Sequence, residues 1–311
     1  MIDGVRLTTR VNDPARIAAC ISGAPFDPAS GRALTGRLGT LWASICYDEL
    51  RLRGSLPTFM GETAPLSRAG VERARARIED ALCICMGDAR VTGLEVTADL
   101  TLPSPPAHYL ALLGCCSRTQ RVEYQGESVS FRTDARWFTF YDKTAEREKR
   151  KKPSPKGHVI RAEVKYRKRV RHKLGADGPV TLADLHAPSF LRHLVGSWQR
   201  EYDRVEKRHP PAPLSVGKDF RRSLMLAGVS SLGARSIEAQ LRAAEKSGTI
   251  HRSTMNGRIL LIRGLATDPA LTTESPLVSE LDAAVRDAVE RALANLDASE
   301  KKDSLLHTAR A

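Results

Sequence analysis

Three stretches of this chain alternate apolar and polar residues with a period of two, and that pattern leaves few folds open. In Val91–Leu100, the residues Leu94, Val96, Ala98 and Leu100 oppose Glu95, Thr97 and Asp99. In Arg136–Lys143, Phe138 and Phe140 oppose Thr139, Tyr141 and Lys143. In His158–Tyr166, Ile160, Ala162, Val164 and Tyr166 oppose Arg161, Glu163 and Lys165. Successive side chains of a strand point to opposite faces, so each stretch predicts a half-buried strand. Val5–Val11 alternates in the same way. Thr40–Glu49 and Val122–Arg132 are each expected to be a single further strand.

Between these strands the period changes. Val71, Ala74, Ile78, Ala81 and Leu82 recur at helical spacing within Ser67–Met86, and Gly87 is a plausible stop. Ala107–Leu113 begins a second helix after the turn Pro103–Pro106, and Phe190–Glu206 forms a third. Residues 21–38 and Gly54–Gly61 are expected to be connectors, since Gly and Pro interrupt regular structure. The predicted class is α+β, an antiparallel sheet with helices covering its apolar face.

Pro210–Pro213 predicts a linker and a domain boundary. This divides the chain into 1–208, 209–270 and 271–311. In the second part, helices at Lys218–Leu226 and Ser236–Lys246 flank a turn through Gly228 and Gly233. Asn256-Gly257 between strand-like runs is a hairpin signal, so the segment is expected to be a small winged-helix-like domain. Leu277, Leu281, Val285, Val289 and Leu296 mark an amphipathic helix expected to dock on a partner surface, followed by a frayed tail.

The 311 residues carry a net charge of +13, which points to a polyanionic partner, most commonly nucleic acid. No apolar run reaches the length of a membrane span, and the first residues lack a signal-peptide pattern, so a cytoplasmic location is expected. The six cysteines have no zinc-knuckle spacing and are expected to be reduced thiols. The run 147–156 is basic, contains Pro153 and Pro155, and is expected to be a mobile loop. Lys149, Arg150, Lys151 and Lys152, with Lys165, Arg167, Lys168 and Arg169 further on, are candidate DNA-phosphate contacts.

If the three alternating strands share a sheet, Glu95, Asp99, Tyr141, Lys143, Arg161 and Glu163 converge on its polar face. Carboxylates alone there would repel one another. A divalent cation, Mg²⁺ or Mn²⁺, would relieve that repulsion and polarise a phosphate, with Glu95, Glu163 and Asp99 as candidate ligands. Tyr141 would attack phosphorus, while Lys143 and Arg161 would stabilise the developing charge. Each residue alone has a plainer reading. A tyrosine at a strand end is usually structural, and Arg161 and Glu163 could form an ordinary ion pair. Only their convergence favours chemistry.

Several blocks occur in the order found in another group of proteins. These are Met1-Ile2-Asp3, Gly54-Ser55-Leu56-Pro57 before a long helix, Leu94-Glu95-Val96, Tyr141-Asp142-Lys143 with Glu146, and Ile160-Arg161-Ala162-Glu163-Val164. In this respect residues 1–208 resemble the replication initiators of filamentous phages, the gene II/X type of phage and plasmid proteins. The resemblance implies a nuclease that nicks one strand of a double-stranded origin and remains on the 5′ end through tyrosine. It would leave a 3′ hydroxyl for a host polymerase, work with a host helicase, and later rejoin the displaced single strand. It maps the tyrosine to Tyr141, the lysine to Lys143 and the acidic positions to Glu95 and Glu163. Relatives often have Arg-Ile-Asp where this chain has Gly93-Leu94-Glu95, and no histidine pair forms a His-apolar-His metal motif. Two other readings remain: a non-catalytic helix-turn-helix regulator, and a single-strand-binding module stacking bases on Trp137 or Phe138.

Overall fold

The computed structural model describes residues 1–23, 34–208, 220–268 and 275–308. Ten strands pair into one antiparallel sheet. In chain order they are β1 (Ile2–Arg10), β2 (Ser22–Gly23), β3 (Leu34–Leu38), β4 (Leu41–Cys46), β5 (Glu49–Ser55), β6 (Arg90–Leu102), then β8 (Gln120–Tyr124), β9 (Ser128–Arg132), β10 (Arg136–Asp142) and β11 (His158–Tyr166). Their spatial order is β2-β3-β4-β5-β1-β6-β11-β10-β9-β8. The two remaining strands, β7 (Leu113–Cys116) and β12 (Val205–Lys207), pair with each other.

The three alternating stretches lie side by side, as their patterns require. Tyr141 pairs with Arg161, and Arg161 with Asp99; Trp137 pairs with Lys165, and Lys165 with Glu95. This register puts every apolar alternate on one face, because a slip of one residue would turn each strand over. That face is covered by helices. The helices are α1 (Pro14–Ala19), α2 (Leu56–Met60), α3 (Arg68–Leu82), α4 (Pro106–Leu112), α5 (Lys143–Lys149), α6 (Val170–Leu174), α7 (Pro188–Asp203), α8 (Phe220–Leu232), α9 (Ala234–Lys246), α10 (Arg252–Ala266) and α11 (Pro276–Thr308). Trp198 of α7 meets Phe138 edge-on at 6.3 Å and donates its indole N–H to the Ala162 carbonyl at 3.2 Å. Ile17 of α1 and Val71, Ala74 and Ile78 of α3 join the same core as Leu7, Leu50 and Leu52.

Several sequence expectations are corrected. Thr40–Glu49 is not one strand; it breaks at Tyr47, whose φ is 53°, and turns back to pair β4 with β5. Val122–Arg132 likewise divides into the hairpin β8–β9 at Gln125 and Gly126, both at positive φ. Both turns lack a proline, and Tyr47 and Gln125 are not residues that announce left-handed backbone. Part of the connector 21–38 forms strand β3, and Gly54–Gly61 holds the end of β5 and helix α2. Ser55 caps α2 by accepting from the Thr58 N–H, and Gly61 ends it at φ 78°. The basic run expected as a loop from residue 147 is helical as far as Lys149.

The expected wing is absent among the described residues. The stretch read as a hairpin around Asn256-Gly257 is instead α10, started by His251, whose side chain accepts from the Ser253 N–H. Met255, Ile259 and Ile262 recur at helical spacing and pack inward; the Asn-Gly pair lies on exposed turns and does not break the helix. Residues 220–268 thus form three helices around a small cluster of Leu226, Val229 and Leu265. The linker Pro210–Pro213 lies outside the described residues.

The apolar stripe of α11 is covered by this chain's own sheet layer. Leu281, Val285, Val289 and Leu296 are buried in the main core, and Tyr109 of α4 donates to Glu280 at 2.5 Å. Replacing a fully buried leucine by alanine loses transfer energy and leaves a cavity. Leu281→Ala is therefore expected to destabilise the protein by about 2–5 kcal/mol in a denaturant melt, whereas Leu260→Ala, on the exposed side of α10, should change stability by less than about 0.5 kcal/mol.

Candidate active site

The polar side of β6, β11 and β10, with β1 and the start of α5, encloses an open pocket of about 560 Å³. Tyr141, Lys143, Arg161, Glu163 and Glu95 line it, so the convergence expected from the sequence occurs for these residues, and Lys165 lines it with them. Tyr141 is the penultimate residue of β10, between Arg161 on one neighbouring strand and Ser128 on the other. The next residue, Asp142, ends the strand and caps α5, accepting from the backbone N–H groups of Thr144 at 2.8 Å and Ala145 at 3.0 Å. Lys143 is therefore the first helical residue rather than the last of the strand. The chain's turn still brings its Nζ 5.6 Å from the centre of the Tyr141 ring.

Arg161 is buried and paired with two carboxylates. Its Nε and Nη2 donate to the two oxygens of Asp99 at 2.6 and 2.8 Å, and its Nη1 donates to Asp3 at 3.2 Å. Asp3 in turn accepts from the Ser55 hydroxyl at 2.7 Å. Burial opposes the guanidinium's charge, but Asp99 outweighs burial and holds its pKa above the usual arginine value. Asp99 faces the same side as Glu95 but does not line the pocket; it is the counter-ion of Arg161.

Lys165 lies between the other two expected ligands. Its Nζ is 2.9 Å from Glu95 and 3.2 Å from Glu163. Burial alone would lower its pKa; Glu163 and Glu95 more than offset that and raise it. Burial raises the pKa of the Glu95 carboxyl, aided by the nearby Glu163 charge and resisted by Lys165. Gly4 makes room for Glu95. A Cβ at that position would come 2.6 Å from the Glu95 carboxyl carbon.

The phenol of Tyr141 is held well above its ordinary pKa, first by burial and then by the Glu163 charge, with Arg161 acting against both. Burial lowers the pKa of Lys143, although its 2.7 Å bond to Glu146 resists the change. Glu146 also binds Arg150 at 2.8 Å; burial would raise its pKa, but Lys143 and Arg150 lower it. Glu146 therefore joins the site as the hinge of a small cation cluster.

The basic candidates divide into two groups. Arg150 and Lys152 stand at the pocket, beside Arg147, whose Nη2 donates to the Thr63 carbonyl at 3.1 Å. Lys149 turns to Glu127, and Lys151 is exposed beside them. Beyond Lys165, Arg167 lies 4.1 Å over the Trp137 ring, Lys168 pairs with Asp134 at 3.2 Å, and Arg169 leads into α6. Asp3, Ser55 and Arg147 were not anticipated in the site. Asp3 lies where the β1–β6 register shifts between Ile2 and Val5, an irregularity that periodicity does not reveal.

The three residues expected to hold Mg²⁺ or Mn²⁺ do not fit that ion as arranged. Asp99 gives both oxygens to Arg161, and an ammonium occupies the space between Glu95 and Glu163. Among the described residues no group of three or more His, Cys, Asp and Glu side chains could hold a metal ion. Phe138, considered as a stacking platform for bases, is buried against Phe140 and Trp198. No helix among the described residues is long and apolar enough to cross a membrane.

No family model matches the chain, and no curated protein matches its sequence. Among solved structures, a rolling circle replication initiator protein from Geobacillus stearothermophilus is similar over 74% of this chain and 96% of that one. The two share 11% identity, with a TM-score of 0.35.

An ammonium and a divalent ion compete for the same carboxylate oxygens. Lys165→Met is therefore expected to create a Mn²⁺ site at Glu95 and Glu163 that the unmodified chain lacks. Titration calorimetry of both proteins measures this; binding by the unmodified chain that disappears in Glu95→Gln would contradict it.

Proposed function

We propose that this protein is a DNA nicking and rejoining enzyme of the replication-initiator kind, with Tyr141 as its nucleophile. The observation that carries the reading is the setting of the phenol: one tyrosine in a polar pocket, with Lys143, Arg150, Lys152 and Arg161 on its walls. A phosphodiester brought there would meet both a nucleophile and positive charge on the same side.

In this reading the Tyr141 Oη attacks phosphorus and the bond to the 3′ oxygen breaks. The DNA 5′ phosphate becomes joined to tyrosine, and the 3′ oxygen takes up a proton to become a hydroxyl. The reverse attack by a 3′ hydroxyl rejoins a strand without further energy. Lys143 and Arg150, held by Glu146, contact the phosphate oxygens, with Lys152 beside them; Lys149 and Lys151 continue this path along the backbone. Asp99 and Asp3 take three of the five N–H groups of the Arg161 guanidinium, which also lines the pocket. It acts through its charge, which favours phenolate. No step is routed through Mg²⁺ or Mn²⁺, because the Lys165 ammonium already occupies the space between Glu95 and Glu163. The partners in this reading are duplex origin DNA and the displaced single strand, with a host helicase and polymerase completing replication in the cytoplasm.

Three helices at 220–268 also suit a regulator that binds DNA without cutting it. A covalent protein–DNA product separates the two readings. With supercoiled origin DNA, the unmodified chain should yield nicked circles carrying protein on a 5′ end. Tyr141→Phe should lower nicking by at least about 10³-fold while retaining DNA binding. Nicking that survives in Tyr141→Phe would remove Tyr141 from the mechanism.

The raised pKa of the phenol adds a pH test. Below its pKa, the phenolate fraction grows tenfold per pH unit, and burial moves the plateau upward. The cleavage rate should therefore still be rising at about pH 10, where an unshifted phenol is half ionised. Single-turnover rates across this range provide the measurement.

A further inference from the structure

The open face of the sheet continues past the tyrosine pocket into a second concavity of about 660 Å³, over β4, β5, β1 and the start of β6. Trp42, Arg53 and Arg6 line it as part of a row in register: Arg37 opposite Trp42, Trp42 opposite Arg53, Arg53 opposite Arg6, and Arg6 opposite Gly93. The next row holds Arg51 opposite Thr8 and Thr8 opposite Arg90. Residues paired in this way point to the same side. Three adjacent strands, β5, β1 and β6, thus place arginines on a single face beside Trp42 of β4, where ordinary surface design would intersperse opposite charges.

Few of these cations are neutralised within the chain. Arg51 pairs with Glu49, the only carboxylate residue that lines the concavity among the described residues. Among the described residues Arg6, Arg53 and Arg90 are exposed and form no salt bridge. Arg6 lies across Gly93, where a Cβ would come 2.9 Å from its Cδ, so the glycine lets the arginine stem lie flat on the sheet. Planar surfaces border the row. The Arg53 guanidinium stacks 4.5 Å over Trp42, while Arg132 and Arg167 lie over the Trp137 ring at 4.6 and 4.1 Å.

The two concavities form one path. Gly93 precedes Glu95 by two residues on β6, and Arg167 follows Lys165 by two at the end of β11. At about 3.3 Å per residue this is a step of roughly 7 Å. A chain leaving the tyrosine pocket along these strands reaches the arginine row directly.

We propose that this arginine and tryptophan groove binds a single DNA strand adjoining the one held at Tyr141, with Arg6, Arg53 and Arg90 on its phosphates and the indole and guanidinium stacks against its bases. Charge complementarity requires a polyanion, and the half-buried indoles of Trp42 and Trp137 with their guanidiniums suit unpaired bases, whose faces a duplex does not present. The inference rests on the reading that the partner is DNA, but its test is independent of cleavage.

The test is fluorescence anisotropy on the full-length chain carrying Tyr141→Phe, with a labelled oligothymidylate of roughly 16 nucleotides, the upper end of a common footprint, and the same strand in a duplex. The combined variant Arg6→Ala, Arg53→Ala and Arg90→Ala should bind the single strand about tenfold more weakly. The slope of log K against log salt should become shallower by about 2, since each lost single-strand contact removes about 0.7. The loss should be smaller for the duplex. An unchanged affinity and slope would overturn the proposal, and an equal loss for both probes would overturn its assignment to single strands. If the combined variant melts early, Arg53→Gln alone reads the same quantity, with an expected slope change of about 0.7. Should Tyr141 prove not to be the nucleophile, these binding results would still stand or fall independently.

Discussion

The site depends on the guanidinium of Arg161. It takes both oxygens of Asp99 on β6 and one of Asp3 on β1, and Asp3 is held in turn by Ser55 at the end of β5. One polar chain therefore crosses four adjacent strands, β11, β6, β1 and β5. A buried cation of this kind is costly to leave unpaired, so the carboxylates and the arginine hold one another in place. Tyr141 is paired directly opposite this arginine, and its position is inherited from the network beneath it.

Around that fixed point, charge is divided by pairing rather than spread evenly. Glu95 and Glu163 enclose Lys165; Glu146 holds Lys143 and Arg150. The carboxylates thus act mainly to position cations, and the phenol keeps its proton because burial outweighs the attraction of Arg161. A polyanion entering this pocket would find ammonium and guanidinium groups already desolvated and oriented, so less ordering remains to be done on binding.

Much of this was legible in the sequence, for identifiable reasons. The period-two stretches around Glu95, Tyr141 and Glu163 were buried on one side only, which fixes both strand identity and facing. From that alone the tyrosine, the two glutamates and Arg161 could be brought together, whereas Lys143 reaches the pocket from the first turn of α5. The pairing of charges could not. Asp99 and Lys165 alternate correctly with their neighbours, and no pattern shows that one serves Arg161 while the other takes the centre of the carboxylate pair. Asp3 escaped because a bulge moved it out of phase. At 249–262 a local turn signal, Asn-Gly, competed with the helical recurrence of Met255, Ile259 and Ile262, and the helix buries Met255 and Ile259 and partly buries Ile262. The C-terminal stripe was read correctly as apolar, but its partner is this chain's own core.

That last packing has a consequence for how the molecule can be divided. The three-helix segment 220–268 leaves the main body after α7 and β12 and is followed by α11, whose apolar stripe belongs to the same core as β1 and β6. It is an excursion anchored at both ends, like a handle rather than a tail. A stop codon placed before it would remove α11, which packs beside Trp198, so the segment can be lost cleanly only by excision with its flanks rejoined.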